Sequence, residues 1–186
     1  MKDIDKYFLS ADDSCLLIID IQERLAVVMD EKGPVIKNTN HLTELAKIHG
    51  MPIVVTEQYP KGLGPTVNEI KDPLPGYQPV EKISFDCCGE GSFNDLVMKL
   101  GRKKVIVAGM ETHVCVLQTV LSLIKSGHEV HLVADAVCSR SPDNKKIAIE
   151  LMRSAGAVIT CTETVLFQVL KVAGTDEFRT ISKMIK

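Results

Sequence analysis

The sequence lacks several features that mark whole classes of protein. It has no excess of positive charge: 22 Lys and Arg stand against 24 Asp and Glu, a formal charge of -2. No net field therefore draws the chain to nucleic acid or to an anionic lipid surface. No apolar run approaches the ~18 residues that a membrane span requires. The start, MKDIDKYFLSADDSC, has four acidic residues ahead of the first apolar block. A secretory leader has a basic start and an apolar middle, so the expected location is cytoplasmic. Neither G-x-x-x-x-G-K nor G-x-G-x-x-G follows the first strand-like block, which removes the usual phosphate-cradling loops. None of the six cysteines (Cys15, Cys87, Cys88, Cys115, Cys138, Cys161) belongs to a Cys-x-x-Cys pair, and no two histidines have zinc-ligand spacing beside a Cys or Asp. The cysteines read as free thiols and no metal site is expected.

What is present is enough apolar residue, 45% of 186, to build one compact domain spanning residues 1–186. Five short runs rich in β-branched residues recur: Cys15 to Asp20, Pro52 to Thr56, Val105 to Gly109, Val130 to Asp135 and Ala157 to Thr160. Most are continuously apolar, as parallel strands covered on both faces must be. Stretches of helical spacing separate them. Val35 to His49 stops at Gly50; Ser92 is the expected N-cap of a helix ending at Gly101; Val114 to Ile124 precedes Gly127; Ser141-Pro142 opens a helix through Ala155. Thr164 to Val172 and the tail from Asp176 complete the set. The pattern predicts a doubly wound α/β fold: a mostly parallel sheet with helices on both faces, a Rossmann-like three-layer sandwich.

From Glu57 to Gly89 five prolines and four glycines leave little regular structure beyond Val67 to Ile70 and an extended piece near Val80 to Ile83. Long irregular segments of this kind often wall a site. In open parallel sheets ligands bind at the carboxyl ends of the strands. There the chain places Asp20, Glu57 and Gln58, the segment GMETHVC (109–115) and Asp135. Cys115 falls in the first turns of a helix, where unpaired N–H groups stabilise a thiolate and supply oxyanion donors; the alternative is a small buried hydrophobe. Asp20 follows five apolar residues, so its carboxylate emerges from the sheet as a possible base, or else caps the next helix. Asp135 reads as a cap or turn residue. Lys82 points inward or is an ordinary solvated lysine, and spacing alone favours the latter. His113 lies two residues from Cys115, so the two face apart on a helix. Cys87 and Cys88 read as packing or loop residues.

Three blocks, LLIIDIQERL, VEKISFD and VIVAGMETHVCVLQTVLSLIKSGHEVHLVADAVCSRS, resemble the isochorismatase-like cysteine hydrolase family from about Ser14 to Leu170. The phrase TEQYPKGLGPTV is similar to the subgroup of isochorismatase domain-containing proteins. The resemblance implies an Asp20, Lys82, Cys115 triad, a cis peptide between Met110 and Glu111, and an oxyanion hole made by the backbone N–H groups of Glu111 and Cys115. It also implies a homo-oligomer. Nicotinamidases of this superfamily carry a metal-binding Asp and histidines after the second strand, where this chain reads TEQYPKGLG, so no cofactor or metal is implied. True isochorismatases lack a cysteine at the position of Cys115.

The implied activity is metal-independent hydrolysis of a small amide or related C–N bond through a Cys115 thioester. Gln58, Tyr59 and Phe85 are candidates to wall a small-molecule pocket, with Cys138, Ser139 and Arg140 beside them. The apolar cluster Leu166, Phe167, Val169 and Leu170 suggests a partner surface. Two other functions compete: a catalytically silent binding or scaffold protein, and a thiol redox sensor using Cys115 or Cys87 and Cys88. No nucleic-acid or membrane partner is expected.

Overall fold

The computed structural model describes residues 4–74 and 76–186. Six strands form one sheet: β1 (Ser14–Ile19), β2 (Ile53–Gln58), β3 (Val80–Lys82), β4 (Lys104–Met110), β5 (Glu129–Cys138) and β6 (Val158–Thr160). Every neighbouring pair is parallel and the order is β3-β2-β1-β4-β5-β6. The helices among the described residues are α1 (Glu23–Ala26), α2 (Lys32–Ile48), α3 (Pro60–Leu63), α4 (Asn68–Lys71), α5 (Gly91–Leu100), α6 (Leu117–Lys125), α7 (Pro142–Ala155), α8 (Thr162–Leu170) and α9 (Asp176–Met184).

Strand β1 shows why the strands read as unbroken apolar runs. Leu16 and Ile18 pack with Val35, Leu42 and Leu45 of α2 and with Val165 and Leu166 of α8. The alternate residues Cys15, Leu17 and Ile19 pack with Phe93 of α5, Val120 of α6 and Met152 of α7. With a helical layer on each face, both sets of a period-2 strand must be apolar. The doubly wound reading is therefore the observed fold.

The chain runs from β1 outward to β2 and β3, then returns to place β4 on the other side of β1. The order reverses between β1 and β4, the point at which open parallel sheets bind ligands. Gly109 makes the close approach possible: its φ is +141°, and a Cβ there would lie 2.2 Å from the Ile19 carbonyl oxygen.

Local structure differs from the sequence reading in three places. Strand β5 runs through Asp135 to Cys138, because after Val107 pairs with Leu132 the next pair is Gly109 with Val137, leaving a bulge. Helix α5 starts one residue earlier than its expected cap, with Glu90 in the N-cap position and Ser92 inside the helix. Ser141 does cap α7, accepting the Asn144 N–H at 3.3 Å. Of the apolar cluster in α8, Leu166, Val169 and Leu170 face the core and Phe167 alone is exposed, so three of the four residues suggested for a partner surface serve the domain interior.

Candidate active site

Asp20, Lys82 and Cys115 come from three separate elements and meet at the carboxyl edge of the sheet. Asp20 leaves β1 in a left-handed conformation (φ 52°), an uncommon state for a residue with a Cβ. Its side chain turns back over the end of β2. Thr56 Oγ1 donates to Oδ1 at 2.7 Å, and Lys82 Nζ lies 2.7 Å from Oδ2. Both partners of this ion pair are sealed from solvent. The Asp20 carboxylate is occupied here and does not cap α1, whose N-cap position belongs to Gln22. Lys82 ends β3 and is 2% exposed, which overturns the solvated-lysine alternative.

Cys115 sits in a π-type turn, Thr112–Val116, that joins β4 to α6. The Glu111 carbonyl accepts the Val114 N–H at 3.1 Å and the Val116 N–H at 3.3 Å, the second a bond across five residues. Such wide turns recur at functional sites because they displace a side chain from regular helical spacing. The Met110–Glu111 peptide just before it is cis. Cys115 is buried, and its thiol lies within the field of the Asp20 carboxylate. Burial and the Asp20 charge push the thiol well above its ordinary pKa, while the Lys82 ammonium pulls the other way. The resting group is a thiol poised next to a base rather than a preformed thiolate. Burial and the Asp20 charge thus work against the thiolate that the helix end alone would favour. Burial is the largest single influence on Lys82 and works against its charge, but Asp20, with smaller help from Cys87 and Cys115, outweighs it and the lysine pKa is raised.

Three further residues belong to this cluster and carried no signal in the sequence. Thr56 ended a predicted strand. Gln22, inside the LLIIDIQERL block, uses its Oε1 to accept the Gln58 N–H at 2.8 Å and its Nε2 to donate to the Gln58 carbonyl at 3.0 Å. Cys87, read as packing, lies fully buried with its Sγ 3.9 Å from Thr56 Oγ1 and its N–H donated to Thr119 Oγ1 at 3.0 Å. Burial and the Asp20 charge push its thiol up to about 11. Only long-range packing brings it beside the triad.

The expected wall residues are placed unevenly. Gln58 is buried and its Oε1 accepts from Lys82 Nζ at 2.7 Å. Tyr59 and Phe85 are about half exposed, and the Phe85 backbone carbonyl accepts from Lys82 Nζ at 3.2 Å. Arg140 pairs with the buried Glu111 carboxylate through both its N–H (3.0 Å) and its Nε (3.1 Å). His113 is hydrogen-bonded to Ser139 Oγ through Nδ1 at 2.9 Å and stands apart from the triad's contacts. Asp135 takes a capping role, its Oδ1 accepting the N–H and hydroxyl of Thr162 at the start of α8. All six cysteines are free. Among the described residues no three His, Cys, Asp or Glu side chains converge as a metal-binding group, and no helix is long and apolar enough to cross a membrane.

An all-parallel six-stranded sheet with its order reversal between β1 and β4 is the architecture of the isochorismatase-like α/β hydrolases. The MAR1 ribonuclease of Caenorhabditis elegans superposes with a TM-score of 0.89 at 35% identity, covering 96% of this chain and 92% of that one. The YcaC gene product of Escherichia coli, described as an octameric hydrolase of unknown specificity, gives 0.89 at 26% identity over 95% and 90% of the two chains. In sequence, the secreted isochorismatase effector Isc1 of Phytophthora sojae is 40% identical over 177 residues, 93% of this chain and 84% of that protein. Residues 14–164 match the isochorismatase domain, and the chain belongs to that family.

Proposed function

We propose that the protein is a cysteine hydrolase that cleaves a small amide or related C–N bond without a metal ion, through a thioester on Cys115. The observation that carries the reading is the buried Asp20 carboxylate, held by Thr56 and Lys82 and facing the Cys115 thiol. In this reading Asp20 takes the Cys115 proton as the sulfur attacks the carbonyl carbon, and the N–H groups of Glu111 and Cys115 receive the oxyanion. Asp20 passes that proton to the departing nitrogen as the C–N bond breaks, leaving the thioester. Water then attacks, giving its proton to Asp20. The C–S bond breaks, the acid leaves, and Asp20 returns the proton to the thiolate.

The donor set at the end of β2 supports a metal-free route. Its carboxylate, Glu57, already accepts from the Thr66 N–H and hydroxyl and from the Tyr77 hydroxyl. Gln58 is held on Lys82. The six free thiols favour a reducing compartment, so the cytoplasm is the proposed location, in contrast to the secreted place that the name of the Phytophthora sojae relative gives. Oligomerisation with copies of itself is proposed by analogy with the octameric Escherichia coli protein.

The test is ammonia release from a panel of small amides and carbamoyl compounds, comparing the parent with Cys115→Ala. A thioester trapped on Cys115 by mass spectrometry and loss of turnover in the variant are expected. Turnover of a confirmed substrate at the parental rate by Cys115→Ala sinks the covalent route. An oligoribonucleotide belongs in the same panel because one relative is named a ribonuclease; with a net charge of -2, this chain is expected to leave it intact.

A further inference from the structure

Four acceptors enclose the Lys82 ammonium: Asp20 Oδ2 at 2.7 Å, Gln58 Oε1 at 2.7 Å, and the carbonyls of Phe85 and Ser84 at 3.2 and 3.3 Å. An ammonium has three N–H groups, so none remains to reach an incoming substrate. Lys82 acts on the site through its charge and its placement alone. Two of its holders are backbone groups and one is the carboxylate it neutralises. The fourth, Gln58, is a side chain, and the structure pins it at both ends. Its Nε2 donates to the Ile83 carbonyl at 2.7 Å, which turns Oε1 toward Lys82. A flipped amide would set its NH2 against an ammonium and its oxygen against a carbonyl. The Gln58 backbone is stapled in turn by Gln22, whose Nε2 also donates to the Gly64 carbonyl at 2.7 Å.

We infer that Gln58 is a positioning residue: a neutral acceptor that holds the Lys82 ammonium against Asp20 without competing for its charge. The inference rests on the hydrolase reading for its functional consequence, and it replaces the expectation that Gln58 simply walls a pocket. Neutrality is the important property. A carboxylate at this point would share the ammonium, give the cluster a net negative charge and raise the proton affinity of Cys115. An apolar side chain would remove one of the two 2.7 Å contacts and leave the buried ammonium with Asp20 and two longer carbonyl contacts, at 3.2 and 3.3 Å. The amide avoids both.

Two readouts test this on the full chain. The first is the Nζ–H resonance of Lys82 in 15N-labelled protein, assigned by its loss in Lys82→Met. A buried ammonium with every N–H bonded is protected from exchange and should be visible. Gln58→Met, which loses one of the two 2.7 Å contacts, is expected to broaden and shift it, and Gln58→Glu to shift it while keeping it sharp. An undetectable parental resonance, or one unchanged in Gln58→Met, overturns the inference. The second is alkylation of Cys115 by iodoacetamide across pH, followed by peptide mass spectrometry, with the exposed Cys161 as internal reference. Gln58→Glu is expected to slow Cys115 labelling on the order of tenfold at a fixed alkaline pH, with Cys161 unmoved. A Cys115 rate equal to that of the parent also overturns it. If Gln58→Met does not fold, Gln58→Glu, which keeps the size and the acceptor, carries both readouts. Failure of the hydrolase reading shows separately, as turnover surviving in Cys115→Ala, and the Lys82 resonance still decides whether Gln58 holds the ammonium.

Discussion

Asp20 Oδ2 and Lys82 Nζ meet at 2.7 Å although their strands are not neighbours: β2 lies between β1 and β3, so the parent backbones are about two strand spacings, ~10 Å, apart. The lysine spans that gap across the carboxyl end of β2, where Thr56 and Gln58 reach up to meet the pair. Strand order thus sets the chemistry. Only a long cation on β3 can reach a short carboxylate at the end of β1, and only this pairing lets both charges survive burial beside an uncharged thiol.

Breaking the pair from one side should be severe. Lys82→Met leaves the Asp20 charge buried without its partner, an arrangement that typically costs about 3–5 kcal/mol. The double variant Asp20→Asn with Lys82→Met removes both charges and should lose clearly less than the sum of the singles, because contacting residues couple. Urea unfolding of the three variants measures this. A Lys82→Met protein within about 1 kcal/mol of the parent would show that the pair is not sealed as described.

The layers of this fold were legible because strand burial on two faces forces unbroken apolar runs, and β1 and β4 display them after their first residues, Ser14 and Lys104. Asp20 and Cys115 were legible for a related reason: each is a polar or reactive group placed where such a run ends. Lys82 was not, since β3 is a three-residue edge strand whose exposed Glu81 and buried Lys82 look alike in sequence. Thr56, Gln22 and Cys87 lie beyond local reasoning altogether. Their roles depend on which loops the sheet order brings together, and no spacing along the chain encodes that distance. The Asp135 bulge escaped for the same reason, being a mismatch in length between β4 and β5.

Gly109 should tolerate no side chain. Its φ of +141° lies where L residues rarely go, and an added Cβ would press to 2.2 Å from the Ile19 carbonyl oxygen on the adjacent strand, one residue before Asp20. Gly109→Ala is expected to lose at least ~3 kcal/mol and to spread β1 from β4 at the order reversal. Thermal unfolding reads the first effect. The second appears as a changed pH profile of Cys115 labelling in whatever fraction remains folded. A melting temperature equal to that of the parent would contradict the close approach.

Thr56→Val keeps the shape of the side chain and removes the donor to Asp20 Oδ1, a bond of 2.7 Å with both groups buried. The carboxylate oxygen is left without its hydrogen-bond donor, which typically costs ~1–3 kcal/mol. Thr56→Ser retains the hydroxyl and should restore much of the loss in urea unfolding. Equal stability of the valine and serine variants would mean the hydroxyl contributes only packing.

His131 sets a pH limit far from the candidate site. It is 1% exposed in β5, its Nε2–H donates to the Lys6 carbonyl at 2.9 Å, and burial, opposed by that bond, lowers its pKa to about 4. The unfolded chain carries a histidine of ordinary pKa, about 6.5, and therefore binds more protons than the fold between the two values. Stability from this group is fully present above about pH 6.5 and falls as the pH drops toward 4, by roughly 3 kcal/mol in total. Urea midpoints taken from pH 7 down to 4.5 should decline steadily in the parent. In His131→Gln, which has no titrating ring, that part of the slope should vanish even if the variant is less stable at pH 7. Parallel curves for the two proteins would place the acid sensitivity elsewhere.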